Sequence, residues 1–571
     1  MKTKALYLTV VLGMILGFAS CEMNYAPSDE LNSEVLLQSA KGAEYVMDGC
    51  YALLKDEVEF LGYSSGNTYI RHYTQLAEFP ADNICLSSKS EDPLYEATAY
   101  MTNDGLKNIG TLWMIGYKVI YMCNTVIETL DASNPDNNRL LGEAYFMRGL
   151  MHLHLVTLYA KPYSYSRDNM GVPLRLSTDA QKITRAPVGE VYDAIVADLK
   201  KAASLLPMEP RVKGNYGYPS KDAARGVLSR VYLYMEDYDN CIATVNEMLG
   251  EATPESKLEK DFENYFRNTK NSSETLFCVA HDQSDDKGQS SIGSMYLKDG
   301  IGWGEIYPSF PLLNLYNRYP DDVRYAKFCV PQYSGTTMQV YFPSPTNKDD
   351  ASGRVNLSFT AFAKGDSYAF KDGKDTVDIE KRLIQGEYYE YFVNYKNVEC
   401  AAWVTKKIAN RNTMPKIFVN KFSYQDANPM LSSPALIRWG EVILNRAEAY
   451  SHKGQVKEAL DDVNAIRKRA GIPDAGMFSP TQLHGYVDKA KNSGGDIITA
   501  VEQIVQDERR LELAFEGHRL FDVYRNKMDM DCRYPGAQPW TVHNWDKENH
   551  MIYPIPNNEW TVSGIPQNDG Y

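Results

Sequence analysis

Two distant stretches of the chain repeat one helical pattern, and this repeat limits the possible folds more than any other feature. Residues 230–249 align without gaps on residues 448–467, so that Tyr232 matches Tyr450. Each stretch has the pattern of a long helix, a tight turn and a second amphipathic helix. Neither helix of such a hairpin buries its apolar face alone, so neighbouring hairpins stack and share a core. The repeat therefore predicts a scaffold of tetratricopeptide-like helical hairpins.

Helical periodicity extends well beyond this repeat. Trp113, Tyr117 and Ile120 recur at spacings of three and four, as residues on one face of a helix do. Similar patterns cover most of residues 34–250 and 434–528. The sequence predicts one mainly α domain over 34–571, in which these two blocks form the scaffold and 529–571 form a C-terminal tail.

The stretch between the two helical blocks has a different texture. Across residues 251–433, Gly, Pro, Ser, Asn and Asp interrupt short alternating runs at 338–342, 355–361 and 416–424. This pattern predicts a loop-rich, short-stranded insertion with a few short helices. Because binding residues concentrate on loops that a rigid scaffold holds, we expect this half to carry the binding site.

Charge and cysteine usage exclude several classes of function. The 60 Lys and Arg stand against 74 Asp and Glu, which gives a net charge of −14 without a sustained basic run. Nucleic acid is therefore excluded as a partner, since phosphate binding needs clustered basic side chains. The nine cysteines are scattered and form no Cys-x-x-Cys pair, so neither a zinc ribbon nor a thioredoxin-type redox site is predicted.

The first residues have the pattern of a secretion signal. Lys2 and Lys4 precede an apolar run over residues 5–18, which is shorter than the roughly 20 residues that span a bilayer. Small residues then lead to Cys21, as in a bacterial lipobox. We predict that residues 1–20 are a signal peptide, that Cys21 carries the lipid anchor and that 21–33 form a tether. The alternative is an ordinary secretory cleavage site with an incidental cysteine.

Motifs of known enzymes are few and lack their context. Residues 62–66 fit the Gly-x-Ser-x-Gly pattern around Ser64, but a nucleophile elbow needs a strand, a sharp turn and a helix in an α/β chain. His152 and His154 lie two apart on a predicted helix, so they face different sides and are interpreted as packing residues. No metal site and no cofactor is predicted. A calcium-binding site in the acidic loops near Asp349 or Asp529 remains an open alternative.

Ordered motifs along nearly the whole chain resemble the SusD/RagB family of outer-membrane nutrient-binding lipoproteins. The most specific of them are RWGEVILNRAEAY, DDVNAIRKRAGI, DERRLELAFEGHRLFDVYRN, YPIPNNEW and the closing PQNDGY. The resemblance implies a protein without enzymatic activity that binds oligosaccharides or polysaccharides. It also implies a lipid-anchored position on the outer membrane facing the cell exterior, as the lid of a TonB-dependent transporter.

One of these motifs could be mistaken for a catalytic site. Glu508, Glu512 and Glu516 would share one face of a continuous helix. Arg509 and Arg519 stand three residues from Glu512 and Glu516, so pairs within the helix would offset the repulsion. We interpret the cluster as an ion-paired network that fixes the helix to the scaffold.

The resemblance also indicates where a glycan would bind, namely in the loop before the helix at 112 and in the later loop-rich region. We predict a site made of two loops, around 82–103 and 296–303. Trp303 stands between two glycines, a flexible setting that would expose its indole, although a packed loop anchor is the alternative. The candidate ligand-binding residues are Asp82, Asn83, Tyr95, Tyr100, Asn103, Tyr296 and Trp303.

Two other functions remain open at this point. One is a repeat scaffold that binds only protein through its helical faces. The other is a surface hydrolase that uses Ser64.

Overall fold

The computed structural model describes residues 40–571, apart from residues 67, 89, 181–182, 347–353, 385–387, 490–491, 493, 539–541 and 547–548. The predicted signal peptide, tether and lipid anchor lie outside the described residues. The α-helices, numbered along the chain, are α1 Ala40–Leu53, α2 Thr68–Glu78, α3 Lys107–Thr129, α4 Asn138–Tyr159, α5 Val188–Leu205, α6 Lys221–Tyr234, α7 Tyr238–Leu249, α8 Phe262–Arg267, α9 Ile292–Tyr296, α10 Phe310–Asn317, α11 Val323–Phe328, α12 Trp439–His452, α13 Val456–Arg469, α14 Ala500–Glu512, α15 Arg519–Arg525 and α16 Asn557–Ser563.

The strands form one closed barrel and several two-stranded sheets. They are β1 Val58–Phe60, β2 Tyr63–Ser65, β3 Ile84–Leu86, β4 Met170–Pro173, β5 Arg185–Pro187, β6 Thr275–Cys278, β7 Ile306–Pro308, β8 Cys329–Pro331, β9 Tyr333–Pro343, β10 Asn356–Lys364, β11 Ser367–Asp372, β12 Asp375–Ile384, β13 Tyr388–Tyr395, β14 Val398–Ile408, β15 Asn410–Arg411, β16 Met414–Pro415, β17 Ile417–Val419, β18 Ala435–Arg438, β19 Met530–Asp531 and β20 Val542–His543.

The two predicted hairpins are present and pack against each other. The α6–α7 turn contains Glu236 and the α12–α13 turn contains Gly454, both with positive φ. Asp237 caps α7 by accepting from the Asn240 N–H. Helix α12 contacts α6, α7, α13 and α14, and the fold class predicted from the repeat is confirmed.

Helix α4 is the centre of the first helical block. It is buried along most of its length between α3 and α5, because its sequence is apolar on nearly every side. Its Arg148 is buried too, and it forms an ion pair of 2.6 Å with Asp198 on α5. His152 and His154 are buried packing residues, as the sequence predicts.

The insertion is more regular than the sequence predicts. Strands β9–β14 close into an antiparallel barrel with the order β10-β11-β12-β13-β14-β9. Two of its hairpins turn at Gly365 and Gly373, which adopt positive φ. The barrel has its own core of phenylalanine and aliphatic side chains, and it leaves the scaffold where the Ala409 N–H donates to the Gln332 carbonyl at 2.8 Å.

The acidic motif near the C-terminus is bent rather than straight, which corrects the prediction of one continuous helix. Helix α14 ends at Glu512, and Phe515 and Gly517 take positive φ before α15 begins. Arg509 pairs with Glu448 and Asp522, and Arg519 pairs with Asp82. The ion-paired network therefore exists, but distant residues form it rather than the predicted neighbours three positions away.

Candidate functional site

The structure joins the two predicted loops through a small sheet. Strand β3 pairs antiparallel with β7, so that Leu86 lies opposite Ile306. The side chains of Ser90 and Glu305 are hydrogen-bonded at 2.5 Å beyond the end of this sheet. Residues far apart in the chain are thus brought to one surface, as the sequence analysis expects for a two-loop site.

A third segment that the sequence analysis missed completes this surface. Arg411 donates to the Gly304 carbonyl at 3.1 Å, and Asn412 donates to the Ser87 carbonyl at 3.1 Å. Lys416 forms an ion pair of 2.6 Å with Asp299, and its hydrogen bond lowers the pKa of that carboxyl. We call the described part of residues 87–93, 299–305 and 410–416 the loop face.

The β15–β16 hairpin carries Arg411 and Asn412, and Asn412 and Thr413 at its turn both have positive φ. Adjacent polar turn residues were the only sequence signal for this segment. They mark a turn, but they do not indicate which surface that turn reaches.

Trp303 lies on the loop face with its indole half-buried. The indole N–H donates to the Gln289 carbonyl at 3.0 Å, and the ring packs beside the main core. Gly304 has a φ of 70°, and a side chain there would collide with Asp299. The neighbouring glycine therefore permits a close packing arrangement rather than flexibility. One part of the ring stays accessible while the other is fixed.

Asp82 and Asn83 are buried behind the loop face. Asp82 lies 2.7 Å from Arg519 and 3.3 Å from Arg510. Burial alone would raise the pKa of Asp82, but these two guanidinium groups outweigh it and lower the pKa to about 2. Asn83 accepts from Arg510 at 2.9 Å. Both side chains thus hold arginines of the C-terminal motif in place.

The three predicted tyrosines are buried as well. Tyr95 donates to the Ala537 carbonyl and Tyr100 donates to the Pro80 carbonyl, while Tyr296 packs in the main core. Asn103 is exposed, and its neighbour Asp104 accepts from the Trp560 indole at 2.8 Å. Of the seven candidates, Asn103 and Trp303 are not buried, whereas the other five are at most 7% exposed. The ligand-binding roles of all seven stay predictions.

Ser64 does not have the setting of a nucleophile elbow. It lies in β2, the second strand of an exposed antiparallel hairpin, and donates to Glu57. Its neighbour Tyr63 contacts the buried His72 at 3.5 Å. No histidine is among the hydrogen-bond partners of Ser64 in the described chain, so the geometry does not favour the hydrolase alternative.

The described residues contain neither a metal-binding cluster nor a membrane-spanning helix. The described part of the chain holds no group of three His, Cys, Asp or Glu side chains placed to bind a metal ion. Asp529 is engaged with Asn544 and the Trp545 N–H, and Asp349 is outside the described residues. None of the described helices is both long and apolar enough to cross a membrane.

Two family models cover most of the chain. One, described as "Starch-binding associating with outer membrane", matches residues 56–233, and a model of the SusD family matches residues 264–571. Among curated proteins, SusD-like protein P2 of Formosa agariphila is 24% identical over 596 residues, covering 100% of both chains. SusD-like protein P38 of the same organism is 21% identical and covers 94% of each.

Solved structures show the same fold. A SusD superfamily protein from Bacteroides thetaiotaomicron has a TM-score of 0.66 at 21% identity, with 92% of this chain and 98% of that chain covered. A protein from Bacteroides vulgatus, described as a putative sugar binding protein, has a TM-score of 0.62 at 21% identity, with 93% and 98% covered.

Proposed function

The chain belongs to the SusD family, and we propose that it binds an oligosaccharide or polysaccharide without cleaving it. The loop face is the proposed binding surface. A sugar ring presents an apolar C–H face edged by hydroxyl groups. A half-exposed indole beside arginine, asparagine and lysine side chains complements both features.

The single observation that carries this proposal is the position of Trp303. Its indole is held by the bond to Gln289, and Arg411 and Asn412 are fixed within the same face. A platform that is rigid before binding loses little conformational freedom when a ligand settles on it.

We further propose that the protein delivers its glycan to a TonB-dependent outer-membrane transporter and is held at the cell exterior by a lipid on Cys21. The support is family membership and the lipobox-like sequence that ends at Cys21. Pull-down of the native lipoprotein from detergent-solubilised membranes should recover a large β-barrel partner. Recovery of the lipoprotein alone in several mild detergents would contradict the pairing.

Affinity electrophoresis tests the glycan proposal. The purified soluble protein should be retarded in native gels that contain one of soluble starch, xylan, laminarin or polygalacturonate. A pure protein-binding scaffold would migrate unchanged in all four, and this outcome would favour that alternative. Release of reducing sugar from the retarding polysaccharide would instead indicate an enzyme.

The variant Trp303→Ala tests the loop face itself. Loss of the platform should weaken binding to the retarding polysaccharide by about 0.5–1.5 kcal/mol or more. Tyr121→Ala is the matched control, since Tyr121 is an exposed aromatic residue on α3. Unchanged affinity in a stably folded Trp303→Ala protein would remove this residue from the site, and a large fall in melting temperature would identify it as a packed anchor.

A further inference from the structure

A second concave surface lies where the barrel meets the helices. It is a cleft of about 500 Å³, within the range of roughly 300–1,000 Å³ that holds small-molecule ligands. Residues of α10, of α14, of strand β13 in the barrel and of the segment 484–489 line it. It shares no residue with the loop face.

Four charged or polar residues that line the cleft form a fixed array, which we call the floor of the cleft. Arg318 lies 2.9 Å from Glu390 of the barrel and 3.6 Å from Asp507 of α14. Tyr486 donates to Asp507 at 2.6 Å. These contacts join the barrel, the scaffold and the 484–489 segment, so the donors and acceptors of the floor are held before any ligand arrives.

The rest of the lining adds a second fixed cation and an apolar strip. Arg510 donates to Asn83 at 2.9 Å and to the Asp82 carbonyl at 2.7 Å. Two of the predicted ligand-binding residues thus position an arginine that lines the cleft. Pro311 and Val487 supply apolar surface, and the side chain of Val487 is 69% exposed.

Two polar side chains lining the cleft are not engaged. Neither the Asn314 amide nor the Lys489 ammonium group has a side-chain partner within the described part of the chain. The Lys489 backbone N–H donates to the Ile498 carbonyl at 3.0 Å, and this bond fixes the backbone from which the lysine side chain extends. Free donors therefore face a preformed cavity.

We propose that this cleft is a second saccharide-binding site, which holds one end of the glycan chain away from the loop face. The proposal rests on the proposed function and deepens it. Carboxylates, guanidinium groups and amides offer hydroxyl groups both acceptors and donors, and the apolar strip suits the C–H face of one ring. The three cations against two carboxylates also allow a sugar acid in the cleft.

Isothermal titration of four defined probes tests the cleft. The probes are maltohexaose, xylohexaose, laminarihexaose and hexagalacturonic acid. For a probe that binds the wild-type protein, Asn314→Ala combined with Lys489→Ala should lower the affinity at least fivefold. Asn314→Trp, which fills the cleft with an indole ring, should lower it further. Asn394→Ala with Lys374→Ala is the matched control, because both residues are exposed on the barrel outside the cleft.

The outcomes separate the two proposals. If a probe binds the wild-type protein and binds the cleft variants equally well, the cleft site is overturned while glycan binding stands. If none of the four probes binds the wild-type protein, the cleft site is also overturned, and retardation by the polysaccharide gels decides the fate of the proposed function. Should Asn314→Trp fail to fold, the double alanine variant decides alone, since it removes no side-chain hydrogen bond or ion pair of the described chain.

Discussion

Single buried charges hold distant parts of this chain together. Glu512 at the end of α14 contacts Arg469, lies 2.7 Å from Arg438 and lies 3.3 Å from Arg324. Burial alone would raise the pKa of Glu512, but these arginines outweigh it and hold the pKa well below its usual range. The carboxylate therefore stays ionised inside the protein, and its negative charge stabilises the three buried arginines around it.

We expect Glu512→Gln to destabilise the protein by about 3–5 kcal/mol at pH 7, since three buried guanidinium groups each lose one of their carboxylate partners. Urea unfolding measures this loss. Glu247→Gln is the control, because Glu247 pairs with Arg225 at the surface and exposed pairs contribute only about 0–1 kcal/mol. Equal stability of the two variants would show that the buried network is not stabilising.

Glu78 has the opposite environment. It is buried at the end of α2 and accepts from the Gly517 N–H at 3.0 Å. Burial raises its pKa to about 7, and the hydrogen bonds reduce this shift only in part. The folded protein therefore keeps this carboxyl protonated at pH values where the unfolded chain has already lost the proton.

The sign of the pH effect follows from the raised pKa. Between about pH 4.5 and 7 the unfolded state ionises Glu78 first, so stability falls as pH rises and then levels off. Glu78→Gln mimics the protonated form and should remove this loss. We expect the variant to match the wild type near pH 4.5 and to exceed it by about 3 kcal/mol above pH 7.

Urea unfolding of Glu78→Gln at pH 4.5 and pH 8 checks this expectation. Glu251→Gln, at an exposed position, should show no such difference between the two pH values. A variant less stable than the wild type at pH 8 would show that the ionised carboxylate is needed there.

At the residue scale, the sequence predicted which loops lie together better than it predicted what their side chains contact. It placed Asp82 and Trp303 in segments that do meet through β3 and β7. It did not foresee that Asp82 would face Arg510 and Arg519, because these arginines lie more than 400 positions away. An aspartate in a polar loop has the same local pattern whether it points to solvent or to a buried guanidinium group.

At the scale of secondary-structure elements, the β13–β14 hairpin gives the most specific test of a backbone conformation. Lys396 and Asn397 connect β13 to β14, and both have positive φ, as a two-residue hairpin turn of type I′ requires. Neither residue is a glycine. Asparagine tolerates this region better than most residues, whereas β-branched side chains do not.

Asn397→Val should therefore cost about 1–2 kcal/mol, which is the strain of a left-handed residue with a bulky side chain. Asn397→Gly should be neutral or slightly stabilising. Asn394→Val, on the preceding strand, is the control. Amide hydrogen exchange of β13 and β14 locates the effect, and faster exchange confined to the helices would contradict the assignment.

Most helices were predictable because their apolar residues recur every three or four positions, and the observed α3 and α5 follow that pattern closely. Helix α4 was predictable for another reason, since its sequence is apolar on nearly every side. The barrel was not predicted as a barrel. Asp372 and Gly373 mark one of its turns, yet its last turn at Lys396 and Asn397 has no glycine. Closure also depends on β9 pairing with β14, a contact that no local pattern reveals.

For the whole molecule, one prediction concerns its attachment to the membrane. If Cys21 is the acylated residue, Cys21→Ala should move the protein from the membrane fraction to the soluble fraction, because a lipid chain supplies about 0.8 kcal/mol per buried methylene group. Fractionation after a salt wash measures the shift. Cys50→Ala, at a buried cysteine, should leave the distribution unchanged, and continued sedimentation of Cys21→Ala would place the anchor elsewhere.

The hydrogen bond from the Ala409 N–H to the Gln332 carbonyl has a consequence for how the chain folds. Each strand from β9 to β13 pairs with the next strand in sequence, and the pairing of β9 with β14 then closes the barrel. Most of the barrel is therefore built from short-range contacts, which form faster than long-range ones. If residues 333–408 formed a flexible loop instead, bringing its two ends together would cost on the order of 4 kcal/mol in conformational entropy. Once the barrel has formed, its two ends already lie side by side, and β8 and β17 need only a short search to pair.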